Sequence, residues 1–83
     1  MNQILVKVFI PTLEKSYDVL IPQNKKIYNV ILLLVKVIDD LNDNCFATKS
    51  MPFLYDKASG RMFNLEDTIR ESKILNGSEL III

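Results

Sequence analysis

The stretch "QILVKVFI" alternates, with Ile4, Val6 and Val8 on one side and Leu5, Lys7 and Phe9 on the other. That is the period of a half-buried strand. Pro11 and the polar "TLEKS" interrupt it, and "YDVLI" resumes the alternation with Tyr17, Val19 and Ile21 opposite Asp18 and Leu20. Strand, compact turn and strand predict an antiparallel hairpin. Pro22 ends the second strand, because it has no N–H to donate to a ladder.

From about Lys25 the period changes. Ile27, Val30, Ile31, Leu34, Ile38 and Leu41 gather on one side of a helical wheel, and Asn29, Lys36, Asp40 and Asp43 form a narrow stripe opposite. The spacing predicts a helix of about four turns, from near Lys25 to Leu41. The apolar run from Val30 to Val35 also fits a buried strand, but its length and the placement of the polar residues favour the helix.

The segment "NDNCFATKS" reads as an irregular connection. "PFLYD" is then a short strand, "DKASG" a turn with Gly60 supplying the permissive backbone, and "RMF" a brief returning strand. Asn64 is placed to cap a single helical turn, "LEDTI", and Asn76-Gly77 forms a tight turn before the terminal strand "ELIII". A hairpin followed by a helix buries both only if the helix lies across the hairpin's apolar face. A right-handed crossover brings the terminal strand beside the first. The expected architecture is an α+β roll, one mixed sheet packed on a single main helix, over one domain spanning residues 1–83.

That order resembles the ubiquitin-like β-grasp fold. The residues that carry the likeness are Leu65, Ile74, Asn76-Gly77-Ser78, Leu80 and Ile82 in the second half. The opening "ILVKVFI" and the helix after "IPQNKKIYNVI" carry it in the first. Within that group the ending "I-x-N-G-x-x-L-x-I" and the chain length look like the bacterial YukD/EsaB proteins, accessories of type VII (ESX/WXG100) secretion; the 42–51 loop departs from them. The resemblance implies a non-conjugated protein that supports or regulates secretion of small helical substrates, and it brings no catalytic residues.

Ubiquitin and the sulfur carriers similar to it act through a C-terminal Gly-Gly that threads a narrow activating site. Here Ile81, Ile82 and Ile83 continue the last strand, and their β-branched side chains would clash with such a channel. Freeing the carboxylate would also strip Ile82 from the core, at roughly 1.5–3 kcal/mol. A modifier or sulfur carrier with a truncated tail, and an interaction domain of a larger protein, are the alternative readings.

Ten basic and ten acidic residues cancel, which removes the electrostatic footprint of a nucleic-acid binder. No histidine is present, so the usual neutral-pH base is missing. The one cysteine, Cys45, has no basic neighbour nearer than Lys49, forms no internal disulfide and is too few for an iron–sulfur cluster. Two glycines, Gly60 and Gly77, make no phosphate-cradling loop. Asp39, Asp40 and Asp43 point in at least two directions on a helix and fall short of a cation's ligand count. No enzyme activity, cofactor or metal is expected.

The sequence start lacks a positive signal region, and the longest apolar run would cover under roughly 20 Å as a helix, against the ~30 Å of a bilayer core. A cytoplasmic chain that does not insert in a membrane is expected. What remains is surface. If Leu80 and Ile82 point inward, Ile81 and Ile83 point outward, joined by Leu5, Phe9 and Leu20 as a contiguous apolar patch on the open sheet face. Leu32 and Leu33, flanking the helix's polar stripe, form a second candidate. The expected partner is a protein, either a component of secretion machinery or a second copy of this chain. Phe53, Tyr55 and Phe63 read as core and rim packing.

Overall fold

Alternation of β-branched residues builds β1, Gln3–Ile10, and sends every second side chain into the interior: Ile4, Val6, Val8 and Ile10 are all buried. The computed structural model describes residues 3–42 and 52–83. β1 pairs antiparallel with β2, Lys15–Pro22, around a tight turn in which Glu14 donates its N–H to the Pro11 carbonyl at 3.1 Å. Glu14 closes that turn in the left-handed region, at φ 52°.

The helix α1, Ile27–Leu41, lays Ile27, Val30, Ile31, Leu34 and Ile38 on the sheet. Its start carries no side-chain cap and no acidic residue in the first turn. The free N–H groups are satisfied from far along the chain instead: Ile27 donates to the Asp67 carbonyl at 2.8 Å and Tyr28 to that of Leu65 at 3.1 Å. Lys26, unfavourably charged for a helix N-terminus, meets Glu66 at 3.2 Å. At the other end Asn42 donates to the Ile38 carbonyl and the Tyr17 hydroxyl, both at 3.0 Å, tying the helix end to β2.

β3, Leu54–Asp56, and β4, Glu79–Ile82, complete a mixed sheet of order β2-β1-β4-β3. β4 runs parallel to β1 in the middle and antiparallel to β3 at the edge. Leu80 and Ile82 are fully buried, and the core continues through Leu54, Phe63, Ile69 and Ile74. This is the expected α+β roll: one mixed sheet against one main helix.

The structure departs from the expectations at three places. Leu41 lies 62% exposed, because it is the last helical residue and projects beyond the final buried position, Ile38. "RMF" does not form a strand. The chain returns past Gly60 only long enough for one bridge, Tyr55 to Met62, flanked by bonds from Asp56 to Arg61 and from Phe63 to Leu54. "LEDTI" begins with a single tight turn rather than an α-helical one: Asp67 donates its N–H to the Asn64 carbonyl at 3.2 Å, the Asn64 side chain accepts the Glu66 N–H at 2.9 Å, and an α-type bond comes later, from Ser72 N–H to the Thr68 carbonyl at 3.0 Å. That shift follows from the capping box formed by Thr68 and Glu71, each accepting the other's backbone N–H at 2.8 and 3.1 Å.

Candidate functional site: the outer face of the sheet

The face turned away from the helix is built from the alternate positions of all four strands. Strand register sorts its residues into rows. Leu5 on β1 lies opposite Leu20 on β2, and the two are 45% and 57% exposed. In the next row Lys7 lies between Asp18 on β2 and Glu79 on β4, and Glu79 reaches Lys57 at 3.6 Å. A third row runs Ser16, Phe9, Ile81, Tyr55 across the full sheet. Beyond it Phe53 and Ile83 exchange backbone hydrogen bonds of 2.8 and 3.1 Å, which carries the β3–β4 ladder one pair further than the strand bounds.

The anticipated single patch is therefore divided. Residues four apart on one strand are separated by about 13 Å. Between Leu5 and Phe9 stands the charged row of Asp18, Lys7 and Glu79. Leu5 and Leu20 form a small apolar pair at one end. Phe9, Ile81 and Ile83 form a larger cluster at the other, joined by Phe53 and Tyr55. The larger cluster has a cationic rim, since the Lys57 ammonium sits 5.5 Å from the centre of the Phe9 ring.

Phe53 and Tyr55 were not among the expected surface residues. The signal was present, because Leu54 is buried and its neighbours on either side must then face outward. Phe63 is buried as expected, under the Arg61 guanidinium at 5.3 Å. Phe53 also borders a shallow cavity of about 520 Å³ shared with Met62 and Leu65. Leu32 and Leu33 are both half-exposed, but on opposite flanks of α1. Leu33 lines a groove with Pro22 and Val30, and Leu32 does not.

Among the described residues no group of three or more acidic, histidine or cysteine side chains is arranged to hold a metal ion. Asp43 and Cys45 lie outside the described residues. No helix among the described residues is long and apolar enough to cross a membrane. The Glu71 carboxyl is held below the usual carboxylate range by the hydrogen bonds it accepts from the Thr68 backbone and side chain.

No protein-family model and no curated protein sequence matches the chain significantly. Solved structures do resemble it. The ubiquitin-like domain of the Mycobacterium tuberculosis type VII secretion system protein EccD1 superposes with a TM-score of 0.78 at 15% identity, covering 100% of this chain and 99% of that one. A chain of a MycP5-free ESX-5 inner membrane complex gives 0.81 at 16% identity, and there the match covers 100% of this chain and 21% of the larger one. A chain from the toluene 4 monooxygenase HD complex with 4-bromobenzoate gives 0.76 at 16% identity, over 96% and 95%. Proteins of different roles thus share this architecture, and the fold is the ubiquitin-like β-grasp.

Proposed function

We propose that this chain is a non-catalytic ubiquitin-like binding domain that docks on a protein partner through the outer sheet face. The partner is assigned to the bacterial type VII secretion machinery, with the chain acting in the cytoplasm as an accessory or regulator. The observation that carries the docking role is the apolar row of Phe9, Ile81 and Tyr55 across three strands, extended by the Phe53–Ile83 pair, with Ile83 56% exposed. Apolar side chains this close together on an open sheet face mark an interaction surface rather than scattered surface residues. The assignment to secretion rests on the YukD/EsaB-like ending and on the structural likeness to EccD1 and to the ESX-5 complex chain.

The domain is proposed to act without conjugation. Both backbone groups of Ile83 are engaged by Phe53, and Ile82 is fully buried, so residues through 83 are held in the sheet. The test uses a cell that encodes the chain beside type VII secretion components. Deleting the gene should reduce export of the small helical substrates; the wild-type chain should restore it, and the Ile81→Ser/Ile83→Ser chain should not. Full restoration by the double variant would refute the docking face. A native product of higher mass that ends in Gly-Gly and forms an ATP-dependent thioester would replace this reading with that of a modifier or carrier.

A further inference from the structure

The edge of β2, with which no other strand pairs among the described residues, carries a second surface, distinct from the apolar row. Lys7 donates its N–H to Ser78, while Leu5 donates to the Asn76 side chain and accepts from Gly77. A strand residue sends both its backbone groups to the same side, so Leu5, Lys7 and Phe9 bond toward β4, and Ile4, Val6, Val8 and Ile10 toward β2. Their register partners Ile21, Val19, Tyr17 and Lys15 bond back to β1. The N–H and C=O groups of Ser16, Asp18 and Leu20 therefore point out of the sheet, and among the described residues no strand pairs with that edge. An edge of this length is a template for strand addition.

Two further features state what the added strand must carry. Across the outer face the charges alternate: Lys57 contacts Glu79 at 3.6 Å, Glu79 lies opposite Lys7, and Lys7 lies opposite Asp18. The row ends on an acid at the edge, and the next place in it, beyond β2, favours a cation. On the helix side Pro22, Val30 and Leu33 form the apolar wall of a groove of about 410 Å³ whose other wall is Lys25 and Asn29. Leu33 is 46% exposed, and Val37, one turn on along the same flank, is exposed too. An added strand turns alternate side chains to the two faces, one set toward the charged row and the other toward this flank.

We propose that β2 accepts an extended segment of a partner protein, whose basic residue pairs with Asp18 and whose apolar residues on the opposite face fill the groove at Leu33. A residue two positions from the basic one meets Leu20, so an apolar side chain fits there. A second copy of β2 does not supply this chemistry. The side chains it would bring to that face are Ser16, Asp18, Leu20 and Pro22, and none is basic.

The test is a peptide of sequence acetyl-VLVKVTV-amide, titrated into the isotope-labelled full chain. Antiparallel addition sets its Leu, Lys and Thr against Leu20, Asp18 and Ser16. Amide exchange at Ser16, Asp18 and Leu20 should slow on binding. The peptide with Glu in place of Lys should bind at least about fivefold more weakly, since opposite charges across a ladder attract and like charges repel. Asp18→Lys should reverse the preference, and Asp18→Asn should remove it, with unchanged amide shifts elsewhere showing that the fold is intact. The proposal is overturned by absence of binding, by equal affinity for both peptides, by protection confined to Phe9, Ile81 and Ile83, or by dimerisation through β2. Those outcomes leave docking at the Phe9–Ile81 row unaffected.

Discussion

The Leu5 N–H donates to the side-chain oxygen of Asn76 at 2.7 Å, joining positions 71 residues apart. The Leu5 carbonyl accepts the Gly77 N–H at 2.7 Å, and Lys7 donates to Ser78 at 2.9 Å. An amide side chain thus stands in for a backbone carbonyl at the start of the β1–β4 ladder, and it aligns the central parallel pair before β4 itself begins. Asn76→Ala should lower unfolding free energy by about 1 kcal/mol, since it leaves one N–H of β1 without its partner. Urea denaturation of the variant measures this; an unchanged midpoint would show that water replaces the side chain without loss.

The same turn depends on its glycine. Gly77 has φ of +90°, and a Cβ built there meets nothing within 4 Å. Gly77→Ala should therefore cost about 1–2 kcal/mol from backbone conformation alone. A crystal structure of the variant with unmoved neighbours, together with the lowered stability, would separate strain from crowding.

Ile82 and Ile83 are adjacent in sequence and opposite in consequence. Ile82 is fully buried, and Ile82→Ala should destabilise the domain by about 2–5 kcal/mol through the cavity it opens. Ile83→Ser should change stability by less than about 0.5 kcal/mol while weakening the association of the sheet face with its partner. Denaturation and binding measured on the two variants should move independently. A large stability loss in Ile83→Ser would mean that the side chain serves the fold rather than a partner.

Glu71 predicts a response to acid. Hydrogen bonds from Thr68 favour its charged form and lower its folded pKa relative to the unfolded chain. The stabilisation is complete above the unfolded carboxylate pKa and is lost as pH falls through the lower folded value. Glu71→Gln should therefore be less stable than the parent at neutral pH, and the gap should close under acid. Thermal melts of both proteins across that range test it, and a gap independent of pH would show that charge plays no part.

Much of this was readable along the chain. Alternation in β1 and β2 and the 3.6-residue period of α1 are local properties, set by which side chains must leave water, and they placed the hairpin, the helix and the inward pair Leu80 and Ile82. The outward direction of Leu5, Phe9, Leu20, Ile81 and Ile83 followed from the same parity. Parity says which face a side chain takes, yet not which side chain on another strand stands beside it.

That second relation was decided by tertiary structure. Register set Lys7 between Asp18 and Glu79, split the apolar face into two clusters, and brought Phe53 and Tyr55 to the larger one. The start of α1 shows the same division: its sequence holds no cap, and the carbonyls of Leu65 and Asp67 arrive there only after folding. Side-chain hydrophobicity repeats within an element and can be counted along it. Hydrogen bonds and charge neighbours between elements depend on how distant segments align, and that alignment exists only once the sheet has closed.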